Sequence, residues 1–403
     1  MKKRKKKAKF FGFKDKFARR RTFLVFGIII LCFVLKIILC GNYIKKEPKE
    51  LSFLLDNEIV KLKNEFFLDD NETVYISKED ISNIFDKTLY YNEAEKELIT
   101  TFNKHIALLK IDENFMLVND SNVELKSPML EKNKIVYLPL SEMGIVYDLE
   151  FEYSKNTKKV IADSVSKEKS RALTLKKLKL KEKPSIFSKK TEKIEQGEYL
   201  VVIEKNGNYY KVRSSDGNIG YVKQNKLSDI EKLRDNWEEE KLNVNILKEV
   251  SDLNKNYSSV NLDSKKKNVV IPTFFYVDFS NSSPQILDKT NSKTQDFTNY
   301  MNWVKENNID VWATLSNNSE VSNSLRTYTD RNKVINSLYY ILVEHEFQGV
   351  NINFEKIDDV NSFNRFIIEL TPRLKELGLK VSVTANKNID TEKLKDIVDI
   401  IIK

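Results

Sequence analysis

The chain has 403 residues, with 68 Lys+Arg against 59 Asp+Glu, two histidines and two cysteines. That length carries two to four domains, and so few His and Cys exclude a Cys/His zinc cluster or a disulfide framework for the large domains. The net charge of +9 is local: residues 1–22 hold +11, Lys36 adds one, and residues 41–403 carry −3, so the bulk of the chain has no general polyanion-binding charge and no nucleic-acid partner is expected.

Residues 23–40, FLVFGIIILCFVLKIILC, contain one charge, Lys36. At about 1.5 Å per residue an eighteen-residue helix spans about 27 Å, enough for a bilayer core, and Lys36 lies where a long side chain can snorkel. By the positive-inside rule the basic tail is cytoplasmic and residues 41–403 are extracytoplasmic. The expectation is a single-pass bacterial cell-membrane protein with the lipid bilayer as a partner. A cleaved signal peptide is the main alternative, but the small-x-small pattern is missing around Gly41 and Asn42. A lipoprotein reading through Cys40 meets Leu39 where a small residue is needed, and a buried core helix is the remaining option. Both cysteines fall in this stretch, so residues 41–403 are thiol-free.

Residues 51–164 contain an internal repeat at a constant offset of 62. Val74-Tyr75-Ile76-Ser77 aligns with Val136-Tyr137-Leu138-Pro139, Phe85 with Tyr147, Tyr91 with Tyr153, and Lys96-Glu97-Leu98-Ile99 with Lys158-Lys159-Val160-Ile161. Each copy reads as a short strand, a short helix, and two strands joined by a polar turn. The pattern VYLPL…YDLEFEYSKNTKKVIA resembles the duplicated copper-amine-oxidase N-terminal-like module of bacterial surface proteins, which implies a stalk or wall-contacting domain. That module is not itself the oxidase, and His105 is the only histidine in the region, so neither a metal nor another cofactor is expected.

Residues 170–229 are rich in strand and turn signals. Asn206-Gly207 and Asp216-Gly217 read as hairpin turns between alternating runs. The pieces GEYLVVIEKNGNYYKVR and DGNIGYV resemble a bacterial Src-homology-3-type domain, a family whose members contact cell-wall peptides. Tyr209, Tyr210 and Tyr221 are its candidate wall-binding residues. The competing assignment packs each tyrosine into the small barrel.

From residue 241 strand-like runs alternate with amphipathic helices, the sign of a parallel sheet or barrel. Six strands are expected near 243–247, 269–277, 311–315, 350–355, 380–384 and 397–402. Asp330 and Asp359 are expected helix caps, and Gly378 a helix terminator. On the fourth strand Val350, Ile352 and Phe354 share one face and Asn351, Asn353 and Glu355 the other. In a (β/α)8 barrel that polar column faces the lumen, with Glu355 at the C-terminal mouth. The plain alternative is a polar barrel layer that happens to end in a glutamate. Trp312 and Asn317 near the third strand, and Tyr276 and Asp278 after the second, are further candidates for lining a sugar site, against barrel filling for Trp312. His345 reads as a surface residue.

The segments FQGVNINFEKID, VVIPTFFYVD, DVWATLSNN and LKVSVTAN together resemble glycoside hydrolase family 18, in its bacterial spore and cell-wall branch. The family motif D-G-x-D-x-D-x-E falls on Gln348, Gly349, Asn351, Asn353 and Glu355. The resemblance implies substrate-assisted retaining hydrolysis of N-acetylglucosamine-containing glycans, peptidoglycan or chitin-like. Glu355 would protonate the glycosidic oxygen while the substrate's own acetamide attacks the anomeric carbon. Catalytic candidates are therefore Glu355, Asn353 and Asn351, and substrate-binding candidates are Trp312, Asn317, Tyr276 and Gln348. Asn353 can hydrogen-bond an acetamide but brings no negative charge, which predicts weak or no turnover. Only six strands fit before Lys403, and 163 residues compare with about 250 for a typical barrel. A reading-frame end, a shortened barrel that has lost catalysis, and completion by a partner chain all stay open.

The expected fold class is thus multidomain: a basic tail (1–22), a membrane helix (23–40), an α+β duplicated stalk module (51–164), a small β-barrel (170–229) and an incomplete α/β (β/α)8 TIM barrel (241–403). The expected function is a membrane-anchored cell-wall glycosidase-like protein. The alternative is a non-catalytic wall-binding scaffold with a degenerate barrel. Oligomeric state is not legible.

Overall fold

Twenty-eight strands and six α-helices make up the described residues, and none of the helices exceeds seventeen residues. The computed structural model describes residues 50–237, 241–253, 255–257, 259–279, 284–290, 294–317, 322–389 and 391–403. The expected membrane helix at 23–40 lies outside the described residues. Among the described residues no helix is long and apolar enough to cross a membrane. The expected fold class and single-pass localisation are corrected to what the described residues show, which is no membrane-spanning helix among them. The described residues are mostly β, and the repeat module is less helical than α+β implies, since its two α-helices cover only Lys78–Ile84 and Gly144–Tyr147.

The chain divides into two units, Met1–Lys61 with Leu149–Glu238, and Leu62–Asp148 with Glu239–Lys403. The division cuts the expected 51–164 module at both ends. In the first unit, Ser52–Leu55 pairs parallel to Lys159–Ser164 and antiparallel to Glu58–Val60, and Leu149–Ser154 completes a four-stranded sheet. A seven-stranded sheet follows, running in spatial order Lys190–Ile194, Leu178–Lys181, Ile219–Lys223, Tyr209–Arg213, Tyr199–Asn206, Lys169–Leu173 and Glu231–Arg234. Its core is Ala172, Leu178, Leu180, Ile194, Leu200, Val212, Val222 and Leu227. Gly207 and Gly217 stand at φ +55° and +71° where the two hairpin turns were expected, a backbone region open to glycine.

In the second unit the repeat closes on itself about a local two-fold. Val74–Ser77 and Ile135–Pro139 pair antiparallel, with Ile76 opposite Leu138, Ser77 opposite Tyr137 and Tyr75 opposite Pro139. Phe67–Leu68 and Leu130–Lys132 flank that pair at equivalent positions. Phe85 and Tyr147, matched at the 62-residue offset, stack on each other with ring centroids 4.9 Å apart. A five-stranded antiparallel meander spans Tyr90–Asn92 to Ser121–Glu124.

The remainder of this unit has strands at all six expected places. Val244–Ile246, Lys267–Val270 continuing as Thr273–Asp278, Asp310–Asn317, Gly349–Asn353, Lys380–Thr384 and Ile400–Ile402 form one parallel series. Pro272 lies between the two halves of the second strand, as a residue without an N–H must where pairing is interrupted. Helices Gln295–Glu306, Tyr328–Glu344 and Val360–Glu376 connect successive strands. They bury Val311, Ala313, Leu315, Val350, Ile352 and Phe354 in one apolar cluster. Asp359 caps the last of these helices as expected, accepting the Ser362 N–H, and Gly378 follows its end at φ +75°. The preceding helix starts at Tyr328 with Thr327 as its cap. Asp330, the expected cap, is instead the third-position partner of that threonine, at 2.6 Å.

Candidate functional site

The face of the parallel sheet away from the helices carries three rows of side chains, set by strand register. Trp312, Gly349 and Lys380 form the row nearest the strand starts; Thr314, Asn351 and Ser382 form the next; Tyr276, Ser316 and Asn353 form the row nearest the strand ends. Glu355 lies two residues beyond Asn353, past the last residue of its strand, and is exposed.

Neighbouring strands hold the backbone around Glu355. The Ser316 hydroxyl donates to the Asn353 carbonyl at 3.0 Å, and the Asn386 amide donates to the Phe354 carbonyl at 2.8 Å. Asn317 makes two bonds: its Oδ1 accepts the Glu355 N–H at 2.9 Å and its Nδ2 donates to the Lys356 carbonyl at 2.8 Å. Phe354 is fully buried against Phe363 and Phe366. The carboxylate is therefore carried on a backbone fixed from two adjacent strands and anchored by a core aromatic, while its side chain remains in solvent. Asn317 was expected to touch substrate. It is a buried positioning residue instead. Asn386 and Ser316 carried no sequence signal of their own, because asparagine and serine at strand ends are common in turns.

Asn351 belongs to the layer below. Its Nδ2 donates to the hydroxyls of Thr314 and Thr384 at 3.1 and 3.0 Å, and its Oδ1 accepts from Ser382 and Thr384, both at 3.1 Å. At 1 % exposure, with both amide atoms bonded to protein hydroxyls, it supports the sheet and is not presented to a ligand. Asn353 differs. It is half-buried, and its side-chain amide has no hydrogen bond among the described residues. Tyr276, also half-buried, stands in the same row two strands away, a separation of about 10 Å.

Two further candidates are placed away from the strand ends. Trp312 is the third of eight residues in its strand, 1 % exposed, with its indole N–H unpartnered among the described residues. It packs over Gly349, where a Cβ would come within 2.8 Å of its ring and 2.6 Å of the Lys380 carbonyl, so the sugar-platform expectation is corrected to interior filling. Gln348 precedes the strand start, at the opposite end from Glu355. Its side chain closes local backbone, accepting the Val311 N–H at 3.0 Å and donating to the Glu346 carbonyl at 2.6 Å. His345, expected at the surface, is mostly covered: it stacks on Phe347 at 5.2 Å and lies 3.1 Å from Asp288. Burial opposes ionisation of Asp288, but hydrogen bonds from Thr290 and His345 outweigh it and hold the carboxyl below the usual range.

The three wall-binding tyrosines do not form one groove. Tyr210 packs against the core of the seven-stranded sheet, while Tyr209, its strand neighbour, faces the other way. Tyr209 and Tyr221 share the outer face, where they stand opposite Lys223 and Lys211 respectively. Among the described residues no group of three or more His, Cys, Asp or Glu side chains could hold a metal ion.

Residues 54–162 match the family model of the copper amine oxidase N-terminal domain, and residues 176–228 that of the bacterial SH3 domain. No curated protein matches the chain. Among solved structures, a class V chitinase from Pseudomonas fluorescens Pf-5 is similar at 15 % identity over 34 % of this chain and 45 % of its own, with TM-score 0.29. A chitinase from Chromobacterium violaceum is similar at 19 % identity over 33 % and 46 %, with TM-score 0.28. The spore cortex-lytic enzyme SleL of Bacillus cereus is similar at 14 % identity over 52 % and 56 %, with TM-score 0.28. The chain thus spans about half the length of these structures.

Proposed function

We propose that the chain acts on or binds N-acetylglucosamine-containing glycans of the bacterial cell wall, with Glu355 as general acid. The observation that carries this reading is the cradle around residues 353–356: four hydrogen bonds from Ser316, Asn317 and Asn386 fix the backbone under one exposed carboxylate, at the C-terminal ends of parallel strands. The motif resemblance around Gly349–Glu355 and the bacterial SH3 match over residues 176–228 support a wall glycan as the target.

The chemistry is substrate-assisted. The substrate's acetamide oxygen attacks the anomeric carbon, the glycosidic C–O bond breaks, and the Glu355 carboxylic acid delivers its proton to the leaving oxygen; water then opens the oxazolinium ion. Asn353, with an uncommitted amide in the row below Glu355, orients the acetamide by hydrogen bonding, and Tyr276 contributes a phenol to the same row. An amide stabilises the oxazolinium charge less than a carboxylate does, and a missing electrostatic contact of this kind costs about 10²–10³ in rate. That observation also favours a second reading, a glycan-binding scaffold without turnover.

The test uses the whole chain with N-acetylglucosamine oligomers. Binding retained in Glu355→Gln, with slow release of reducing ends lost in that variant, supports the hydrolase. Binding with no release in either protein supports the scaffold. Absence of binding in the unmodified chain contradicts both.

A further inference from the structure

The −3 carried by residues 41–403 hides an uneven distribution. The segment matched as a bacterial SH3 domain, 176–228, holds thirteen Lys/Arg against six Asp/Glu, a net +7. Much of that charge lies on the outer face of four adjacent strands. In the hairpin of Leu178–Lys181 and Lys190–Ile194, Lys179 stands directly opposite Lys193, and Lys181 directly opposite Lys190. Leu178 and Leu180 point into the core, so Lys179 and Lys181 face out. Lys181 also pairs with Tyr221 on the next strand, which ends at Lys223; Lys226 follows on the short helix Gln224–Lys226.

Like charges directly opposite each other across a sheet are destabilising, and Lys179 and Lys193 form such a pair; Lys181, opposite Lys190 across a register shift, donates its ammonium to the Ser185 and Ile186 carbonyls at 2.9 and 3.0 Å. The cations also feel one another: partial burial first, then Lys226, Lys223 and Lys190 for Lys181, and Lys176, Lys223 and Lys190 for Lys226, pull both ammonium groups below the usual lysine range. Rules of local stability are broken in this way where a site serves a ligand.

We propose that this face is a docking surface for a linear polyanion whose repeat is a polyol phosphate diester. The cations are lysines, point charges suited to successive phosphates rather than to planar bidentate recognition. The one arginine in the segment, Arg213, is buried and committed to Asp163 through bonds of 2.7 and 2.6 Å. Outward residues on one strand recur about every 7 Å, and neighbouring strands lie about 4.8 Å apart, so the lysines form a charge lattice across the sheet. At its edge lies a hollow of about 520 Å³ lined by Ile186, Asn208, Tyr209, Lys223, Gln224 and Asn225. The Asn208 and Asn225 amides there match polyol hydroxyls. A nucleic acid would ask for open aromatic faces on which to stack bases. Tyr209 is only 8 % exposed, and Tyr221, half-buried between Lys181 and Lys211, is a single ring where a run of bases needs several.

The experiment measures binding of the full chain to labelled poly(glycerol phosphate), with single-stranded DNA of equal charge as a second probe. Binding weakens about tenfold or more between 50 and 200 mM salt, as counterion release requires. The combined substitution Lys179→Gln, Lys193→Gln and Lys223→Gln lowers affinity at least about tenfold and leaves the melting temperature unchanged or raised, because it relieves repulsion and spares the Lys181 bonds to the Ser185 and Ile186 carbonyls. Lys134→Gln, Lys266→Gln and Lys305→Gln, combined at exposed positions in the other unit, leave binding intact. Unchanged affinity in the first triple variant overturns the proposal, as does a melting temperature that falls with affinity, or DNA binding as tight as the polyol polymer. Glu355→Gln binds the polymer as the unmodified chain does, so this surface and the sugar site stand or fall separately.

Discussion

Glu355 is held by its backbone and not by its side chain, and this decides which substitutions matter around it. Asn386→Ala removes the donor to the Phe354 carbonyl, and Asn317→Ala removes both bonds to Glu355 and Lys356. Each is expected to lower glycan affinity or turnover about tenfold, since a net hydrogen bond is worth about 1 kcal/mol and the segment it orders carries the acid. Asn317→Asp keeps the acceptor for the Glu355 N–H and should recover part of the loss; no difference between Ala and Asp would contradict a positioning role. A second residue-scale prediction concerns pH. Burial works against the charge of Asp163, but Arg213 and Lys169 outweigh it and hold the carboxyl below the usual range. A depressed folded pKa means stabilisation that is complete above the unfolded value, about 3.9, and lost as pH falls through the folded one. Thermal melts between pH 5 and 2 should therefore show a steeper fall for the unmodified chain than for Asp163→Asn.

Helices Tyr328–Glu344 and Val360–Glu376 are joined by an ion pair with almost no exposure. Arg331 meets Glu369 through bonds of 2.6 and 2.9 Å, Arg365 adds two more to the same carboxylate, and Arg331 also donates to the Leu325 and Arg326 carbonyls. Removing one partner strands a buried charge, so Arg331→Met should cost about 3–5 kcal/mol, read by denaturant titration. The double variant Arg331→Met/Glu369→Met should recover much of that. Periodicity found the strands of the parallel sheet because its helix-facing residues are apolar at every second position. It could not find this pair, since a charged residue in a helix reads as solvent-facing unless its partner 38 positions away is known. The Thr327 cap was missed for a similar reason: both Thr327 and Asp330 are good capping types, and only geometry separates cap from capping-box partner. Among the site residues, Glu355 and Asn353 were legible because strand alternation puts them on the polar face near a strand end. Trp312 and Gln348 were misplaced because sequence gives the face of a side chain but not its height along the strand.

At the scale of the whole chain, average charge was a poor guide. A near-neutral bulk contains a domain of +7, and the sheet register shows that its lysines oppose one another instead of dispersing. The two-fold of the repeat was equally invisible in the offset alone, since an offset of 62 shows that two copies exist but not that they pair through Ile76 and Leu138. The glycan reading, by contrast, concentrates in one strand end, where an acid is presented beside an amide. The most direct measurement is reducing-end release from N-acetylglucosamine oligomers by Asn353→Asp, alone and combined with Glu355→Gln. Restoring the carboxylate is expected to raise turnover about 10²-fold or more over the unmodified chain, and the added Glu355→Gln should abolish the gain. No gain in Asn353→Asp, together with no oligomer binding by either protein, would contradict a sugar site at the end of this strand.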